Sequence, residues 1–142
     1  MKSRTFPATV ESLAIIREYL TEFSAAAGLD KKQTYNLCLA VDEVVTNIFL
    51  YGYGKSGRKG VVEIYTEMDE NQIKITVEDD SPPYDPTKQK LPDEEDLKKP
   101  LEERPIGGLG LFLTISNVDD FKYEYVNERN RNIFIVKRSS SE

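Results

Sequence analysis

The chain has no histidine. That removes the side chain most often used as a general base near neutral pH, and with it Ser-His-Asp nucleophile activation and the common zinc sites. Self-phosphorylation on histidine is excluded for the same reason. Cysteine is nearly as scarce. Cys38 is the only one, so no internal disulfide can form and a reducing compartment fits. Its place in an apolar stretch suits a small buried hydrophobe. Basic residues number 19 against 25 acidic ones, a net charge of −6, which argues against a general nucleic-acid binder. No apolar run nears the roughly 20 residues that a membrane span needs, and Met1 to Thr9 shows no signal-peptide pattern. The expectation is a cytoplasmic protein with no nucleic-acid and no membrane partner.

What is present suits one soluble domain over residues 1–142, large enough for a sizeable core. Thr5 to Thr9 reads as a short edge strand, where Pro7 is tolerated, and Thr9 as a cap for the next helix. Leu13, Ile16, Leu20, Phe23 and Ala27 step by three and four, which predicts an amphipathic helix over 10–27 ended by Gly28. Asp30 and Gln33 form a capping box that opens a second helix, running to about Leu50. Tyr51 to Gly60 is glycine-rich and reads as a loop. Two alternating strands follow around the turn Asp69–Asn71, the second one ending near Asp79. Further on, Phe121, Tyr123 and Tyr125 alternate, Asn127 to Asn130 turn the chain, and Asn132 to Arg138 make the last strand. The predicted fold class is an α/β two-layer sandwich, a mainly antiparallel sheet with helices packed on one face.

Three places break the pattern, two with polar residues where apolar ones are expected and one with clustered glycines. On the second helix, Leu37, Val41, Val44, Val45 and Ile48 form an apolar face, and Glu43 and Asn47 sit one turn apart on a side that also holds Leu39, Ala40 and Leu50. They either face water or form a site. Asp79 falls in phase with Ile73, Ile75 and Val77, so its carboxylate is aimed at the core side of the strand end. It either bonds its own turn or accepts a proton from a ligand's amino group. Gly107, Gly108 and Gly110, with Leu109 and Leu111, lead into a short apolar helix, which suits either a phosphate or a close packing contact. Between the last two sites, about residues 80–106, periodicity fails. Six of the seven prolines lie there, with the acidic run Asp93 to Asp96, and so long a connection suggests a lid.

Taken together, the sequence resembles the GHKL ATPase superfamily of DNA gyrase and histidine kinases (the Bergerat fold), and more closely the small anti-sigma-factor serine/threonine kinases of bacterial partner-switching systems. Glu43-Val-Val-Thr-Asn47 is similar to the family's N box. Asp79-Asp-Ser-Pro-Pro-Tyr-Asp-Pro86 is similar to its first glycine box. Leu101 to Leu111 is similar to the lid end and second glycine box. The resemblance implies ATP and Mg2+ as cofactors, with Glu43 as general base and Asn47 as magnesium ligand. It implies that Asp79 bonds the adenine amino group, while Gly107, Gly108, Leu109, Gly110 and Leu111 wrap the phosphates. It further implies a STAS-domain anti-sigma-factor antagonist as phosphoryl acceptor, a sigma factor or analogous regulator as second partner, and a homodimer. Ser81 departs from the pattern, standing where the box usually has glycine, and would place a side chain beside the adenine. The alternative is a partner-binding module, with or without nucleotide, that has no kinase activity.

Overall fold

A computed structural model describes residues 2–54, 60–85 and 117–138. Five strands form one sheet in the order β1-β2-β3-β5-β4, every neighbouring pair antiparallel. They are β1 (Lys2–Pro7), β2 (Val61–Met68), β3 (Gln72–Asp79), β4 (Asp120–Val126) and β5 (Arg129–Lys137). Helices α1 (Val10–Ala26) and α2 (Lys31–Asn47) precede β2. The predicted two-layer α/β sandwich is what forms.

The helix boundaries follow from the chemistry of their ends. Asp30 Oδ1 accepts the Gln33 N–H at 2.7 Å, and Gln33 Oε1 accepts the Asp30 N–H at 3.1 Å, so the capping box is complete. Gly28 takes φ +83°. Leu29 N–H then reaches Ser24 O and Gly28 N–H reaches Ala25 O, the paired closure of a Schellman end. Thr9 occupies the N-cap position of α1 but makes no capping bond to the backbone. Its hydroxyl lies 3.1 Å from Ser12 Oγ instead.

Two predicted boundaries are corrected. The first strand runs over Lys2–Pro7 rather than Thr5–Thr9, because its ladder to β2 extends from Lys2 opposite Thr66 to Pro7 opposite Val61. The turn expected at Asn127–Asn130 needs only Asn127 and Glu128, both at positive φ (53° and 62°), as a two-residue hairpin turn requires. Arg129 and Asn130 are thereby drawn into β5.

A larger correction concerns the segment after Asn47. The helix does not fray into a loop at Tyr51 but continues as a π-helix over Ile48–Gly54. The i→i+5 bonding widens the turn, so Ile48 and Tyr53, five residues apart, are both buried.

The core lies between the helices and one sheet face. Ile16 and Leu20 of α1 and Leu37, Val41, Val44 and Val45 of α2 meet Val62, Ile64, Ile73, Ile75, Val77, Phe134 and Val136. Phe121 packs edge-on against Phe134 with ring centroids 5.0 Å apart. The opposite face is polar, with Glu78 accepting from Arg129 Nε at 2.9 Å and Arg131 Nε at 3.2 Å. Arg138 fastens the far end: it donates to Ala27 O after α1 and to Asp69 O at the β2–β3 turn, at 2.8 and 2.7 Å.

Candidate functional site

Glu43 and Asn47 sit on the last turn of α2, where helical spacing stacks them one above the other. Asn47 is 6% exposed and as buried as the apolar residues beside it, while Glu43 is half-buried. The Asn47 side chain is oriented by its own helix: Nδ2 donates to Glu43 O at 3.0 Å. That bond leaves Oδ1 as the free end of the amide, and among the described residues it accepts no hydrogen bond. Burial, and then the neighbouring Asp42, raise the Glu43 carboxyl above its ordinary value. A carboxylate shifted in this direction is a better proton acceptor near neutral pH.

Asp79 ends β3 with no exposure at all. Its two oxygens have different surroundings. Oδ1 accepts from Ser81 N–H at 3.0 Å, from Asn130 Nδ2 at 3.0 Å and from the Ser81 hydroxyl. Among the described residues Oδ2 is buried without a partner. Each of the alternatives open at the sequence level has one oxygen: Oδ1 bonds the chain's own turn, and Oδ2 is left for something else. A buried acceptor with no donor is costly in the isolated chain. Burial raises the Asp79 pKa, opposed by the hydrogen bonds from Ser81 and Asn130.

Asn130 has no counterpart among the predicted site residues. It lies across the β3–β5 ladder from Asp79 and is 2% exposed. Besides Asp79, its Nδ2 reaches Ser81 O at 3.0 Å and Pro82 O at 3.2 Å, and its Oδ1 accepts from Tyr84 N–H at 3.1 Å and from the Tyr123 hydroxyl. The signal was available in the sequence: Asn130 and Asn132 are in phase with the buried Phe134 and Val136. Assigning Asn130 to the turn concealed it.

Tyr53 is the other omission. Its hydroxyl lies 2.7 Å from Asp80 Oδ1 and 2.9 Å from Val61 O, sharing one hydrogen between them, and accepts the Asp80 N–H at 3.2 Å. Burial and the Asp80 carboxylate push the phenol well above its usual range. This contact ties the π-helix that continues from Asn47 to the residue that follows Asp79. The ring needs Gly60, since a Cβ there would lie 2.2 Å from ring atoms.

The structure therefore gathers Glu43 with Asn47, and Asp79 with Ser81, and bridges the two sets through Tyr53. Gly107, Gly108, Leu109, Gly110 and Leu111, and all of the expected lid beyond Asp85, lie outside the described residues. Ser81 is buried with its hydroxyl on Asp79. The donor set suits a nucleotide: Oδ2 of Asp79 lacks the donor that an exocyclic amino group supplies. Magnesium is suited by the bare oxygen of Asn47. Among the described residues no three His, Cys, Asp or Glu side chains form a metal cluster, so that ion would need phosphate and water oxygens as well.

Residues 6–136 match the family model described as "Histidine kinase-like ATPase domain". The chain is 34% identical over 116 residues to "Serine-protein kinase RsbW" of Staphylococcus aureus strain MSSA476, covering 80% of this chain and 72% of that protein. The same protein of strain JH9 is 35% identical over the same span and coverage. Among solved structures, the chain is similar to the histidine kinase domain of the blue-light activated histidine kinase EL346 from Erythrobacter litoralis. The TM-score is 0.52 at 17% identity, covering 89% of this chain and 59% of that one. This last likeness concerns the fold.

Proposed function

The chain belongs to the histidine kinase-like ATPase family, and on that premise we propose that it binds Mg-ATP and phosphorylates a serine or threonine of a STAS-type anti-sigma-factor antagonist. The same chain would hold a sigma factor or analogous regulator, the phosphorylation state of the antagonist deciding which partner is bound. The observation that carries the nucleotide reading is the unpartnered buried Oδ2 of Asp79. The serine-protein kinases to which the chain is similar support protein phosphorylation as the reaction.

In this reading Asp79 Oδ2 accepts a proton of the base's amino group and fixes the nucleotide's orientation. Glu43, with its raised pKa, takes the proton of the attacking hydroxyl. The new bond joins that oxygen to the γ-phosphorus, the bond between the γ-phosphorus and the β–γ bridging oxygen breaks, and ADP leaves. Asn47 would hold magnesium through Oδ1, and the ion would supply positive charge against the phosphoryl oxygens. Gly107, Gly108, Leu109, Gly110 and Leu111 would contact the phosphates, as the resemblance implies, and the protein would work as a cytoplasmic homodimer.

Labelled ATP, the chain and a STAS-domain antagonist give the test. Label on the antagonist that disappears with Glu43→Ala supports the kinase. ATP binding by calorimetry with no transfer for either protein establishes the binding module instead.

A further inference from the structure

The carboxylate of Asp79 is asymmetric in a way that neither oxygen's burial explains. Among the described residues three donors converge on Oδ1 and none reaches Oδ2. A carboxylate has about four acceptor positions, two on each oxygen, so Oδ1 is saturated. Two of its donors come from side chains, the Ser81 hydroxyl and the Asn130 amide. Asn130 is itself fixed from both ends. Its two amide hydrogens are shared among Asp79 Oδ1, Ser81 O, Pro82 O and, at 3.4 Å, Ser81 Oγ, while its oxygen takes the Tyr84 N–H and the Tyr123 hydroxyl.

We propose that Asn130 is a positioning residue which, together with Ser81, occupies Asp79 Oδ1 and thereby offers a nucleotide base one acceptor only, so that these two side chains set the base preference. The inference rests on the nucleotide reading above. A 6-amino purine needs one acceptor for its amino group. Guanine presents N1–H and its 2-amino group side by side and grips a carboxylate best through both oxygens. With Oδ1 already filled, that second grip requires displacing Ser81 or Asn130. Ser81, expected from sequence to place a side chain beside the base, donates its hydroxyl to Asp79 Oδ1.

The test compares wild type, Asn130→Ala and Ser81→Ala for calorimetric affinity toward ATP, GTP and magnesium tripolyphosphate, which has no base. Alongside it, the Asp79 carboxyl is titrated by carbon NMR in the nucleotide-free protein. Each substitution leaves two donors on Oδ1, so the ATP-to-GTP preference is expected to fall in both, by up to about tenfold, the scale of one hydrogen bond to a charged group. Tripolyphosphate affinity stays constant, whereas a merely structural loss weakens all three ligands together. Removing either donor also raises the Asp79 titration midpoint, because both bonds favour the charged form. A wild type that binds none of the ligands overturns the nucleotide reading. An ATP-to-GTP ratio that neither substitution moves overturns this inference alone, as does a parallel loss of all three ligands or an unmoved Asp79 midpoint.

Discussion

The hydroxyl of Tyr53 both receives the backbone N–H of Asp80 and shares its proton with the Asp80 carboxylate. One residue of the π-helix thus holds the backbone immediately after Asp79, and the helix that carries Asn47 is fixed relative to the end of β3. Tyr53→Phe keeps the ring and removes these bonds. The expected cost is about 0.5–1.5 kcal/mol, the net scale of a hydrogen bond whose partners, Asp80 and Val61, keep access to water. Urea unfolding measures it, and ATP affinity falls in the same variant because the two halves of the site lose their common reference. Unchanged stability and affinity together would discard the bridging role.

Gly60→Ala tests the same contact from outside. An added Cβ would lie 2.2 Å from the Tyr53 ring, whose hydroxyl is tethered to Val61 O and Asp80. The variant is expected to lose about 1–3 kcal/mol, the usual scale of overpacking. Tyr53→Ala in the same chain recovers the added loss, because the ring that clashes is gone. Thermal or urea unfolding of the single and double variants reads the coupling.

Glu43→Gln and Asn47→Ala separate chemistry from metal binding. Glu43→Gln retains ATP affinity and loses phosphoryl transfer by about 10²–10⁴-fold, the range for a positioned general base. Asn47→Ala instead shifts the magnesium dependence of ATP binding upward while magnesium-free ADP binds as before. Equal effects of both substitutions on both readouts would count against the division of labour.

Asp79 makes the fold pH-sensitive. Its pKa is raised in the native chain, chiefly by burial, so the native state holds the proton more tightly than the unfolded state. Stability from this group is therefore greatest below the ordinary carboxylate pKa and declines as pH rises through the interval between the unfolded and native values. Asp79→Asn removes the titrating group. Its urea midpoint, followed from mildly acid to neutral pH, is expected to fall less than that of wild type. Parallel profiles would show that another group controls the slope. In neutral buffer the same variant binds ATP at least about tenfold more weakly, since an amide presenting its nitrogen donates where the base needs an acceptor.

Much of the frame was legible because local chemistry determines it. The capping box at Asp30 and Gln33, the left-handed Gly28 and the alternation around Ile73, Ile75 and Val77 each decide structure within a few residues. The inward aim of Asp79 followed from its phase alone. Two elements escape a reading of local pattern, each for its own reason. The π-helix at Ile48–Gly54 changes the spacing of buried residues in a segment too short to show a new period. The hairpin at Asn127 and Glu128 sits in a run of polar residues where any of several could turn.

The two-layer architecture, the Glu43–Asn47 pair on one helix and the carboxylate at the end of β3 follow from residue order alone, because each depends on neighbours within one or two turns or strand steps. Which oxygen of Asp79 remains open, and what holds the site together, emerges from the folded chain. Those outcomes depend on Asn130, 51 positions beyond Asp79, and on Tyr53 meeting Asp80, 27 positions away. A side-chain hydrogen bond forms only within about 3 Å and a narrow range of angles, and no pattern of residue types along a chain encodes contacts at that range until the sheet has brought the strands into register.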